Sequence, residues 1–206
     1  MRRCVPAIAV LLFTLGTHAN AATITFINPP FEGTTALTTP GRQVVGNELF
    51  TPFNIATDVF QFERNIFGIN QILFINNVAS AIPATGVNVV VLETFDDDAN
   101  LGTPFGAGNA ANLIAAQITQ TGPGFFIYFN SNLALPRLVY STDLGDNTAD
   151  LKILARITNL TAGALPQFTA SNFALTTIPE PATLLLMTTG GALMASRRLR
   201  RKRTRE

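Results

Sequence analysis

Cysteine and histidine are almost missing from this chain of 206 residues, which has one of each and no tryptophan. Cys4 and His18 both lie in the first twenty residues, in a stretch with the form of a cleavable leader. Once that leader is removed the chain has neither side chain. A disulfide is then impossible, even in an oxidising compartment. The usual thiolate and imidazole ligands of zinc or copper are absent, and so are a Ser-His-Asp triad and a Cys-His pair. Charge is also sparse, at 13% of residues. No apolar run reaches the roughly 20 residues that a stable membrane span needs.

The two ends are the most informative parts. Arg2 and Arg3 precede an apolar stretch from Val5 to Gly16, and Ala19-Asn20-Ala21 then places small residues where a signal peptidase reads. Basic region, short apolar core and small-residue site form a secretory signal peptide, with cleavage expected after Ala21 or Ala22. At the other end stand Pro179-Glu180-Pro181, an apolar run from Ala182 to Ala195, and Arg197, Arg198, Arg200, Arg201, Lys202, Arg203 and Arg205. As a helix the run would rise about 21 Å against about 30 Å of hydrocarbon, so it suits a short stay in the membrane better than a permanent anchor. The cations after it act as a cytoplasmic stop under the positive-inside rule. The domain between the ends then faces away from the cytoplasm, as the signal peptide also requires. Two prolines keep 179–181 extended and short of backbone donors, an accessible strip just outside the bilayer. Glu180 places an anion near the start of the apolar helix, where the dipole favours it.

Motif, short helix and basic tail in this order resemble the PEP-CTERM sorting signal of Gram-negative bacteria, a tail also named after ice-binding proteins. The resemblance covers the last 25 to 30 residues. It implies export across the inner membrane, recognition by an exosortase and processing near the Pro-Glu-Pro. Delivery to the cell surface or an exopolysaccharide matrix is implied as well. The domains expected are a signal peptide at 1–21, an ectodomain at 22–177 and the sorting signal at 178–206.

The middle is long enough for one independent core. Residues 22–178 hold five basic side chains (Arg42, Arg64, Arg137, Lys152, Arg156) against eleven acidic ones, a net charge of −6. An acidic domain with scattered cations is unsuited to nucleic acid, which needs clustered positive charge. Period-two patterns rich in β-branched and aromatic residues predict strands at 23–26, 59–62, 72–75, 87–92, 113–118, 125–129, 138–141, 151–158 and 173–176. Turn signals separate them at Asn28-Pro29-Pro30, Pro40-Gly41, Gly122-Pro123-Gly124 and Leu144-Gly145-Asp146-Asn147. Gly102–Asn112 reads as a long loop, and the one short helix expected is Asn109–Ala116. Many short strands with regular breaks predict an all-β fold, a β-sandwich or jelly roll. Several stretches between Phe129 and Leu151 also resemble exported PEP-CTERM proteins, which implies a β-rich ectodomain and no chemistry.

Candidate sites in the middle are few. Asp96, Asp98 and Asn100 alternate after a strand and present oxygens of the kind calcium takes. An EF-hand would need glycine where Leu101 stands, so the expectation is a solvated acidic turn. Asp143, Asp146 and Asp150 suit Asx-turn bonding around Gly145. Glu63 and Glu93 are the only carboxylates to nominate for glycoside hydrolysis, and solvated strand faces are expected for both. Tyr128, Tyr140 and Phe126 are the residues to nominate for stacking on sugars, although core packing suits most phenylalanines. Thr34, Thr35, Thr38 and Thr39 lack the regular spacing of an ice-binding face. The expectation is therefore a non-enzymatic surface or matrix protein with no cofactor or metal, structural or adhesive in a biofilm or envelope exopolysaccharide. A lectin-like domain or weak glycoside hydrolase is the alternative. The expected partners are signal peptidase, exosortase, the inner membrane in passing and exopolysaccharide.

Overall fold

Strand β6 (Val89–Leu92) shows how the fold is built, because all four of its side chains are fully buried. Val89 and Val91 enter one apolar cluster and Val90 and Leu92 another. A strand covered on both faces reads as an unbroken apolar run, and the Val-Val-Val-Leu sequence is such a run. Strand β7 (Gly124–Asn130) repeats the division, with Phe125 and Ile127 on one side and Phe126 and Tyr128 on the other.

The computed structural model describes residues 21–178. It is largely β. The remaining strands are β1 (Thr23–Phe26), β2 (Val44–Val45), β3 (Leu49–Thr51), β4 (Val59–Glu63), β5 (Phe74–Asn77), β8 (Leu135–Ser141), β9 (Leu151–Ile157) and β10 (Phe173–Thr176). A three-stranded sheet has the order β1-β4-β10. A seven-stranded sheet has the order β2-β9-β8-β7-β6-β5, with β3 also pairing on β9. β7, β8 and β9 form an antiparallel meander, while every other pairing is parallel. Parallel neighbours need crossover connections. The one between β6 and β7 contains helix α2 (Ala107–Ala115).

The first cluster joins the two sheets. Phe60 and Phe62 of β4 share it with Phe125, Ile127, Leu138, Tyr140 and Ala155 of the larger sheet. Phe53 stacks on Phe60 with ring centroids 4.2 Å apart. Stacked pairs of this kind contribute about 0.5–1.5 kcal/mol beyond the area they bury. The second cluster lies on the opposite face of the seven-stranded sheet, under α2, whose Ala107, Ala110, Ala111 and Ile114 are buried. Their i, i+3, i+4, i+7 spacing makes one apolar stripe. Three alanines bring the helix close to Phe126 and Tyr128.

Three sequence expectations change here. The helix expected at Asn109–Ala116 is present as α2, and it displaces both the strand also predicted at 113–118 and the second half of the loop predicted at 102–112. The small-residue stripe explains the helix, and Asn109 Oδ1 accepts the Gly106 N–H at 3.1 Å where it begins. The strand predicted at 72–75 begins at Phe74 instead. β2, β3 and the single-turn helix α1 (Arg64–Phe67) were not expected. The apolar run of the sorting signal, Pro179, Glu180, Pro181, the cations Arg197 to Arg205 and Ala19 lie outside the described residues. Ala21 is within them and exposed. Among the described residues, no helix is long and apolar enough to cross a membrane.

Candidate functional site

The densest charged contact lies on the helix-side face of the larger sheet. Arg137 of β8 and Arg156 of β9 are register partners. Both donate to Glu48 Oε1, from Arg137 Nη2 at 2.6 Å and Arg156 Nε at 2.5 Å. Glu48 sits between β2 and β3, and its side chain is only 6% exposed. Burial works against its charge. The bonds from its own backbone, Arg156 and Arg137 outweigh that cost and hold the carboxyl below the usual range. Arg156 also lies over the ring of the exposed Phe50, 4.8 Å from its centroid. Its two arginine donors lie on neighbouring strands, so the group ties the β2–β3 edge to β8 and β9.

Other polar side chains are engaged in the same way. Asp150 is buried and accepts N–H bonds from Leu37 and Gln43, each 2.6 Å long. Arg42 donates to the carbonyls of Ala149 and Gly108 and to Asn112 Oδ1, which ties this loop to α2. Burial pushes the Arg42 guanidinium down, and nearby Asp146 acts the other way.

A cavity of about 620 Å³ opens where the end of β1 faces the β2–β3 edge, lined by Thr25, Asn28, Glu32, Asn47, Leu49 and Lys152 among others. The Lys152 amino group donates to the Gly46 carbonyl. Its burial pushes its pKa down against the pull of Glu48. Glu32 is the one carboxylate in the lining, and neither Glu63 nor Glu93 contributes to it.

The residues nominated from the sequence are scattered. Glu63 is buried, contrary to the solvated face expected for it. Its carboxylate caps α1, accepting the Ile66 N–H at 2.7 Å and the Asn65 side-chain amide at 3.1 Å. Glu93 is half-buried just beyond β6, on the other sheet. Tyr128, Tyr140 and Phe126 are all core residues. Tyr140 donates to the Phe67 carbonyl at 3.3 Å, and burial pushes its hydroxyl up to about 12.

Asp96, Asp98 and Asn100 each accept the N–H two residues on, a run of Asx turns that ends at Gly102. The oxygens of Asp96, Asp97 and Asp98 lie within 4.8 Å of one another, and Asp97 also accepts from Asn109. Asp98 and Asp146 both have lowered pKa values, from the Asn100 N–H and the Thr148 N–H respectively. Asp143 accepts the Gly145 N–H, the expected turn, whereas Asp150 is the long-range tie described above. The hydroxyls of Thr34, Thr38 and Thr39 bond to nearby carbonyls and form no flat array.

The last strand and the tail motif adjoin in the chain. β10 ends at Thr176, in register with Glu63 at the end of β4. The PEP-CTERM protein-sorting motif matches residues 177–202 and so begins at the next residue. The chain carries a PEP-CTERM sorting signal. That signal implies export, a membrane-anchored precursor and processing by an exosortase. No curated protein and no solved structure matches the chain. The PEP-CTERM match covers the tail and no part of residues 22–176.

Proposed function

We propose that this is an exosortase-processed protein of the cell surface or extracellular matrix. In this reading its domain is a sandwich of two facing sheets with a structural or adhesive role in envelope or biofilm exopolysaccharide, and it catalyses no reaction. The observation that carries the reading is the junction at Thr176–Thr177, where the last strand passes into the sorting motif with no intervening linker. The domain is thereby delivered as a unit held close to its processing site. Two features support a passive role. The one carboxylate in the 620 Å³ cavity has no acidic partner there, whereas glycoside hydrolysis uses two. The strongest charged cluster is spent on holding strands together. The carbohydrate-binding alternative loses its nominated stacking residues to the core.

Mass spectrometry of the C-terminus in the native host tests the sorting step. A chain trimmed near Pro179–Pro181 is expected, and one still ending at Glu206 would count against processing. A glycan array probed with the exported chain, with and without calcium, tests the role. Strong binding to a discrete oligosaccharide would replace the structural reading with a lectin.

A further inference from the structure

Asp58 is a buried carboxylate with no counter-ion among the described residues. It is 7% exposed. Oδ1 accepts the Ala22 N–H at 2.9 Å and the Thr57 hydroxyl at 3.0 Å, and Oδ2 accepts the Asn54 N–H at 2.8 Å. These donors are neutral as long as Ala22 follows Ala21 through a peptide bond. Asn172 packs over the same turn and donates to the Asp58 carbonyl at 3.0 Å. Both ion pairs among the described residues belong to Glu48, so no described cation pairs with Asp58. Buried charges are ordinarily paired, and here a pairing cation can arise by processing. Ala22 is the residue just before β1, and its carbonyl accepts the Val59 N–H at 2.9 Å.

We propose that Asp58 is the receptor for the N-terminal ammonium released when the signal peptide is cut between Ala21 and Ala22. Hydrolysis adds one water across that bond. The hydroxyl goes to the Ala21 carbonyl carbon and a hydrogen to the Ala22 nitrogen, and the new amine takes the proton shed by the new carboxyl. The nitrogen stands 2.9 Å from Oδ1, so where the uncut chain places a neutral amide donor against the carboxylate, the mature chain places a cation and the contact is an ion pair. Of the two bonds at the cleavage site, only the cut after Ala21 leaves a terminus that makes this contact. Cleavage after Ala22 would discard the donor to Asp58 and the acceptor for Val59, leaving Thr23 at the terminus. It also sets an order of events. In the folded domain the Ala21–Ala22 amide is tied to Asp58 beside the paired β1–β4 ladder, so cleavage precedes docking of β1, and the new terminus then locks that strand in place. This inference rests on export through a signal peptide and goes beyond it.

The test uses the full chain, exported from a Gram-negative host and recovered from the envelope or medium. N-terminal mass spectrometry is expected to find a free amine on Ala22. That amine should titrate above its ordinary value of about 8, read from the NMR signal of its isotopically methylated form, and Asp58→Asn should return it to that value. Because Asp58→Asn could fail to fold, a second chain has one serine inserted between Ala21 and Ala22. It keeps the Ala22 amide on Asp58 but moves the charge away. A raised amine pKa contributes stability that is complete below about pH 8 and is lost as pH rises through the folded value. The inserted chain should therefore melt about 4 °C lower at neutral pH, with the gap closing as the solution becomes alkaline. A mature chain beginning at Thr23, or equal melting at neutral pH, would overturn the inference and leave the export reading standing. Retention in the cytoplasm would instead overturn both.

Discussion

Phe62 stacks on Phe125 with ring centroids 3.8 Å apart and planes 20° from parallel, and this contact joins the centre of the three-stranded sheet to the seven-stranded one. Both rings are fully buried. Phe62→Ala should destabilise the domain by about 3–5 kcal/mol, the usual cost of emptying a large aromatic site. Urea unfolding with an unchanged slope would show it. Leu101→Ala, at a side chain 80% exposed, should change stability by no more than about 0.5 kcal/mol.

Gly124 opens β7 where no side chain fits. A Cβ there would lie 2.3 Å from Leu144 Cδ1 and 2.6 Å from the Asn88 carbonyl oxygen. Leu144 can turn aside, but Asn88 is fixed. Its side-chain oxygen accepts from Leu73, its amide donates to Gln71 and its carbonyl receives the Phe125 N–H. Gly124→Ala is expected to cost about 1–3 kcal/mol, read by thermal melting. Gly163→Ala, with nothing within 4 Å of the added carbon, should be close to neutral.

Neutralising the Glu48 carboxylate leaves Arg137 and Arg156 partly buried without their counter-charge. Glu48→Gln should cost about 2–3 kcal/mol. The pH dependence has a definite sign. The folded carboxyl lies below its ordinary value, so its contribution is present above about pH 4.3 and disappears as pH falls through the folded value. Melting curves of the original chain should therefore fall more steeply below that point than those of Glu48→Gln.

Asp150 holds the segment from Leu37 to Gln43 by two N–H bonds. β2, which follows, pairs with β9 at only two positions. Asp150→Ala should release this segment before the core. Amide exchange at residues 37–45 is expected to quicken by an order of magnitude or more, roughly the loss of 1.4 kcal/mol of local protection, while amides of β6 and β7 keep theirs. Uniform quickening across the domain would show that Asp150 acts on global stability instead.

Strands that make their own pattern were legible in the sequence. β1, β4, β5, β6, β7, β8, β9 and β10 overlap the runs expected from alternation and β-branched or aromatic content. α2 was half visible, because its stripe of alanines is weakly apolar and Leu113–Ile118 also satisfies a strand-like period. β2 and β3 have two and three residues. They exist as strands only because β9 passes beside them, about a hundred residues later in the chain, and no local signal records that. Glu63 and the two tyrosines were misread for a related reason. Their polar atoms are satisfied by an α1 amide, by Asn130 and by a distant carbonyl, so burial was affordable. The tail was the easiest part because its message is linear and needs no fold to be read.

The two terminal strands flank β4, and all three point the same way. Ala22 stands at the Val59 end of that trio and Thr176 at the Glu63 end. A chain gripped at its tail and tugged from its head therefore stretches this sheet along its strands. The four rungs on either side of β4 must slide together instead of opening one after another. Shear of that kind is the loading geometry in which a short ladder resists force best, a useful property while the precursor is anchored in the membrane by its tail.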